Sequence, residues 1–226
     1  MPNGTYGGVR GRKTKVGRKL LLFSSYSILV MKVFIDNGHG QFTPGKRSPD
    51  GQFREYQYNR IVARRVTAKL QALGYDAELL VPEDDDISLK ERCRRVNTWC
   101  ILHGKSNAIC VSIHFNAYGN GSQWTSPSGW SIFTSVGNTA ADRLADCIAE
   151  AAKVNLPLMK MREDFSDGDI DYEEGFYILK HTMCPAVLTE NGFMTNEKEC
   201  RWLMTEEAIE SIAMTHVEGI SRYLAR

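Results

Sequence analysis

Ala108-Ile109-Cys110-Val111-Ser112-Ile113-His114 is the stretch on which the fold turns. The run up to Ile113 is nearly all apolar, with β-branched residues at Ile109, Val111 and Ile113, and it lacks the polar alternation of a half-exposed strand. A strand written this way is covered on both faces, as an inner strand of a parallel sheet is. It ends abruptly on a histidine.

The segments on either side fit such a sheet. Lys32 to Ile35 is a short strand that feeds Asp36-Asn37-Gly38-His39-Gly40, and Gln41 to Phe53, rich in Gly and Pro, continues as a loop. From Glu55 to Leu73 the apolar positions Tyr58, Val62, Val66, Leu70 and Leu73 form a helical stripe closed by Gly74. Asp76 to Val81 predicts a second strand, and residues 82–86 an acidic loop. Ser88-Leu89-Lys90-Glu91 is a capping box that opens a helix running to about His103. Beyond the central run, Gly129 to Thr134 predicts a strand, and Leu144, Ala145, Ile148 and Ala152 a helix. Residues 159–175 predict a loop, Phe176 to Leu179 and Ala186 to Thr189 the last strands. Ile209, Ile212, Ala213, Val217, Ile220 and Leu224 mark a terminal amphipathic helix. Strands alternating with helices imply an α/β domain with a mostly parallel or mixed sheet and helices on both faces. Ligands of such sheets bind beyond the carboxyl ends of the strands.

Length and composition agree. A chain of 226 residues, 42% hydrophobic and 24% charged, fits one domain with a core of ordinary size. The net charge of +1 hides an asymmetry, because the first thirty residues carry six basic side chains and no acidic one. The remainder is therefore net acidic, which argues against a nucleic-acid-binding body. The six cysteines stand singly and read as reduced, since a domain this size needs no staples. Leu20 to Val30 is too short and serine-rich to span a bilayer. It resembles part of an export signal but lacks a small-x-small cleavage site. Residues 1–30 thus read as a disordered or spurious extension, and residues 31–226, from Met31 on, as the catalytic domain.

Three strand ends deliver polar residues to one edge of the expected sheet: His39, His114 and Glu190. Glu55 joins them from the start of the first helix. Two imidazoles and a carboxylate are a common zinc set that leaves a position for water. A second carboxylate outside that set can take the water's proton. Each residue also has an ordinary reading. His39 fits a solvated turn, His114 a satisfied core histidine, Glu55 a favourable first-turn anion, and Glu190 a loop carboxylate.

At this point the chain resembles the zinc N-acetylmuramoyl-L-alanine amidases shared by bacterial autolysins and phage endolysins. Val33-Phe34-Ile35-Asp36-Asn37-Gly38-His39-Gly40 is similar to that family's opening strand and first histidine ligand. Arg54-Glu55-Tyr56-Gln57-Tyr58-Asn59 is similar to the segment with its glutamate ligand, and Ser88-Leu89-Lys90-Glu91-Arg92, with Asn97, to its second helix. Ser112-Ile113-His114-Phe115-Asn116-Ala117 resembles the signature of the second histidine. Residues 185–196, Pro185-Ala186-Val187-Leu188-Thr189-Glu190-Asn191-Gly192-Phe193-Met194-Thr195-Asn196, resemble the closing motif with the catalytic glutamate.

The resemblance implies a sheet of about six strands, Zn2+ held by His39, Glu55 and His114, and Glu190 as the catalytic residue. It implies hydrolysis of the amide between the muramic acid lactyl group and the L-alanine of peptidoglycan, at the cell wall. No nucleic-acid partner and no membrane span are expected, and the chain reads as a monomer. The sequence departs from the pattern at Pro44-Gly45-Lys46-Arg47-Ser48-Pro49, where an acidic residue is usual, and at Asn191, more often apolar or small. His181 precedes the closing motif at a position that is often polar, and offers another proton carrier. Cys100-Ile101-Leu102-His103 has ligand-like spacing but no answering pair, and Asn120-Gly121-Ser122 is a sequon without secretory context. Trp124 and Trp130 fit either sugar stacking or core packing. A zinc peptidase acting within the stem peptide, and a non-catalytic peptidoglycan-binding domain, are the competing readings.

Overall fold

The computed structural model describes residues 31–166 and 168–225; the extension read at 1–30 lies outside them. The elements in chain order are β1 (Lys32–Asn37), α1 (Glu55–Ala72), β2 (Asp76–Leu79), α2 (Leu89–His103), β3 (Ala108–Asn116), β4 (Trp130–Thr134), α3 (Asp142–Asn155), β5 (Tyr172–Glu173), α4 (Tyr177–His181), β6 (Ala186–Phe193), α5 (Glu197–Leu203) and α6 (Glu206–Leu224). They form one six-stranded sheet in the order β2-β1-β3-β6-β4-β5.

The period-2 alternation of strand side chains divides the core in two. Val33 and Ile35, Ile109, Val111 and Ile113, and Val187 face α1, α3 and α6 in the larger cluster. The intervening Phe34, Ala108, Cys110, Ala186 and Leu188 face α2 and α4 in the smaller one. This explains the unbroken apolar run of β3, since both parities are buried. The strands β2, β1, β3 and β6 run parallel, as their alternation with helices requires. Ser88 caps α2 through its Oγ, which accepts from the Glu91 amide at 3.2 Å. No helix among the described residues is long and apolar enough to cross a membrane.

Three elements differ from the sequence reading. Phe176 to Leu179 is not a strand: Tyr177–His181 is the short helix α4, which buries the consecutive Ile178 and Leu179 against α2. A four-residue apolar run carries too little period to separate helix from strand. The sheet position next to β4 belongs instead to β5, inside the expected loop. Strand β4 pairs antiparallel with β6, so the sheet is mixed. Helix α5 went unread, although Asn196 and Glu199 stand at capping spacing, and Asn196 Oδ1 accepts from the Glu199 amide at 3.1 Å.

Strand β6 also runs past Thr189 to Phe193, with a bulge. His114 pairs with Glu190, but Asn116 pairs with Phe193, so β6 carries one extra residue between these pairs. Gly192 supplies the conformation, at φ 102°. Bulges of this kind re-aim side chains at sheet ends.

Candidate metal centre

The carboxyl edge of β1 and β3 and the start of α1 bring His39, Glu55 and His114 together. One ligand atom from each lies within 4.8 Å of the others. Glu55 Oε1 is 3.0 Å from His114 Nδ1 and 3.3 Å from His39 Nε2, and it accepts from the Phe115 amide at 3.2 Å. The two rings meet edge-on with centroids 4.8 Å apart. The other oxygen, Glu55 Oε2, is buried without a hydrogen-bond partner among the described residues. Burial opposes ionisation of Glu55, but the hydrogen bonds from His114 and His39 outweigh it and hold the carboxyl below the usual range. Burial lowers the pKa of His39; His114 is also buried, but its contact with Glu55 prevails and raises it.

The first-histidine loop is fixed through its backbone. His39 sits at φ 61°, sparsely populated for a residue with a side chain. Its carbonyl accepts from Arg60 Nη1 at 2.9 Å and from Arg92 Nη2 at 3.1 Å. The Gly38 carbonyl accepts from Asn59 Nδ2 at 2.9 Å, and the Gly38 amide donates to the Ile113 carbonyl at 3.2 Å. Arg92 is itself buried. Its Nη1 donates to Asp36 Oδ1 at 2.6 Å and to the Asn37 carbonyl at 2.7 Å, while Ser112 Oγ donates to Asp36 Oδ2 at 2.6 Å. The buried ion pair thus ties α2 to β1 and β3 directly beneath the loop. Asn59, Arg60 and Arg92 were missed by sequence reasoning. The available signal was a polar residue on a buried helix stripe, as at Arg92 beside Cys93 and Val96.

Glu190 lies on β6 opposite His114 on β3, within β6 rather than at its end. Burial pushes its carboxyl up to about 8, with His114 acting against the rise, Glu55 adding to it, and Lys46 again opposing. Its Oε2 is buried without a partner among the described residues. The neighbouring Asn191 is a buried link. It accepts from Trp130 Nε1 at 2.9 Å, donates to the His114 carbonyl at 3.0 Å, and donates to Thr189 Oγ1 at 3.1 Å. Trp130 is therefore a core residue, whereas Trp124 is partly buried against the core and lines a surface cavity with Thr125, Asn196 and Arg201.

His181 is not brought to this group. It is exposed at the end of α4, before the start of β6, with its ring 4.1 Å from that of Tyr177 and its carbonyl accepting from Asn97. The Cys100–His103 pair separates into a buried thiol and an exposed imidazole, and all six cysteines are buried outside any disulfide.

Residues 33–222 match the family profile described as N-acetylmuramoyl-L-alanine amidase. The N-acetylmuramoyl-L-alanine amidase CwlM of Bacillus licheniformis is 28% identical over 195 residues, which cover 85% of this chain and 68% of that protein. The sporulation-specific N-acetylmuramoyl-L-alanine amidase of Bacillus subtilis (strain 168) is 26% identical over 193 residues, with the same coverage of 85% and 68%. Among solved structures, the N-acetylmuramoyl-L-alanine amidase from Clostridium difficile 630 aligns with a TM-score of 0.72 at 26% identity, covering 87% of this chain and 98% of that one. The profile match spans everything from β1 into α6, and so includes every strand that positions the two histidines and two glutamates: the chain belongs to the N-acetylmuramoyl-L-alanine amidase family.

Proposed function

We propose that this chain hydrolyses the amide between the lactyl group of N-acetylmuramic acid and L-alanine in peptidoglycan, with zinc held by His39, Glu55 and His114 and with Glu190 carrying the proton. The convergence of two imidazoles and a buried carboxylate on one point carries the reading. The donor set suits zinc, and the partnerless, buried Glu55 Oε2 is an oxygen that a cation would satisfy. Zinc bound there would polarise the scissile carbonyl and make water more acidic.

The chain's own groups supply the remaining chemistry. Glu190, opposite His114 on the neighbouring strand, would take a proton from the attacking water and deliver it to the leaving amine. The amine needs that proton because an amide nitrogen leaves poorly as an anion. Burial keeps the Glu190 carboxyl near the neutral range, where it can both accept and release a proton. A neighbouring dication would draw its pKa downwards, towards the base form. Arg60, Arg92 and Asn59 hold the His39 loop in its strained conformation, so the site is formed before substrate arrives.

Digestion of purified sacculi tests the reading. The expected products are glycan with free lactyl carboxylates and peptides with new L-alanine amino termini; a chelator should stop their release and added zinc should restore it. Shortened peptides, or unchanged sacculi with zinc bound, would overturn it.

A further inference from the structure

Beside the metal centre the surface carries a cluster of cations that the chemistry above does not use. Lys46, Arg47 and Arg54 line a cavity of about 280 Å³, together with Thr43 and Tyr56. All three cations are exposed, and none makes an ion pair among the described residues. By contrast, the nearby Arg60, Arg64, Arg92 and Arg95 all face carboxylates.

The cluster is fastened to the site. The Lys46 carbonyl accepts from the amide of Glu55 at 3.0 Å, and Arg47 bridges Arg54, which directly precedes Glu55. This is also the segment where Pro44-Gly45-Lys46-Arg47-Ser48-Pro49 stands in place of the usual acidic residue.

We infer that Lys46, Arg47 and Arg54 form a subsite for a free carboxylate on the stem peptide, with the α-carboxylate of the second residue, D-glutamate, as its ligand. The inference rests on the amidase reading. A residue spans at most about 3.6 Å, so the α-carboxylate of the second residue lies within roughly 7 Å of the scissile amide nitrogen. The cavity opens at the start of α1, where Glu55 enters the centre. Amidation of that carboxylate to D-isoglutamine removes the charge while nearly keeping the shape, so the subsite would discriminate between the two peptide types. Exposed ion pairs contribute little singly, so the three cations together should yield about a tenfold preference. Salt should screen it.

The test uses the zinc-loaded protein and two soluble substrates whose γ-carboxylate is already in an amide, N-acetylmuramoyl-L-alanyl-γ-D-glutamyl-L-lysine and its D-isoglutaminyl counterpart. The wild type should cleave the first with about tenfold higher kcat/KM, mainly through KM, and the gap should close by about 0.5 M salt. Lys46→Gln/Arg47→Gln should lose most of the ratio of kcat/KM between the two substrates with zinc content near that of the wild type, and Lys46→Arg/Arg47→Lys should keep the ratio. Equal rates on the two substrates in the wild type, or a preference untouched by the Gln double variant, would overturn the subsite. So would a defect of that variant confined to walls bearing phosphate polymers, which would assign the cations to those polymers. Failure to cleave either substrate with zinc bound would instead remove the amidase reading beneath it.

Discussion

Gly38 packs so closely on the His114 imidazole that a Cβ on it would lie 2.0 Å from the ring's Cε1 and 2.3 Å from Nε2. The residue before the first histidine thus fixes the position of the second. Gly38→Ala should displace the His114 ring and weaken zinc binding at least about tenfold, on the 10–100-fold scale seen when a ligand's support is removed. Chelator competition measures this directly. Unchanged affinity would mean that the ring has room the packing denies it.

Glu190→Gln keeps the shape and a hydrogen-bonding end but cannot accept a proton at neutral pH. Turnover should fall at least about a hundredfold, with zinc content near that of the wild type. If zinc is lost instead, Glu190 is a ligand and the assignment of Glu55 must be revised.

Arg92→Met leaves Asp36 buried opposite a neutral side chain and strips donors from the Asn37 and His39 carbonyls. Removing one partner of a buried pair costs about 3–5 kcal/mol. Urea unfolding should register that loss, and the folded fraction should bind zinc less tightly because the His39 loop has lost a clamp. A loss below about 1 kcal/mol would show that the pair is not a strut.

Asn191→Leu should cost about 2–4 kcal/mol, since it leaves Trp130 Nε1–H and the buried Thr189 hydroxyl short of partners. The added double variant Trp130→Phe/Asn191→Leu should recover part of that loss, because the orphaned indole donor is gone. Simple additivity of the two changes in unfolding experiments would argue against the link.

His216 gives the fold a pH dependence of known sign. It is buried in α6, with Nδ1–H donating to the Ile212 carbonyl at 2.7 Å and Nε2 accepting from Thr189 Oγ1 at 2.9 Å. Burial lowers its pKa from 6.5 to about 4. Between those values the unfolded chain binds a proton that the folded chain does not. Stability is therefore full above the unfolded value and falls as the pH drops towards 4, by about 2 kcal/mol between pH 7 and 5. Urea titrations at the two pH values should show a smaller drop for His216→Gln; equal drops would mean the imidazole is protonated in the folded state.

Much of this was legible because the informative residues sit in strong local contexts. Residues 108–113 could only be a doubly covered strand, and Ser88 with Glu91 could only open a helix. The meeting of His39 and His114 was legible because parallel strands deliver their ends to one edge, where the start of α1 adds Glu55. Phe176 to Leu179 was not, because four apolar residues fit a helix turn as well as a strand. The antiparallel placement of β4 depends on which edge of β6 is free, a property of the assembled sheet that no window of sequence contains. The supporting Arg60, Arg92 and Asn191 were hidden for the same reason, since each finds its partners only after two or more elements have packed. Asn191, at odds with the family pattern, is accounted for by Trp130 on the neighbouring strand.

The six buried thiols give the molecule an internal clock. An alkylating reagent in native buffer can reach them only when the chain opens, so labelling rates report openings rather than surface exposure. Cys110 sits in the central strand, Cys93 and Cys100 on one layer of helices, and Cys147 and Cys200 on the opposite layer. Mass-resolved labelling would therefore reveal which layer lifts first. Zinc should slow every opening that dismantles the His39–Glu55–His114 corner and leave the others at their former pace.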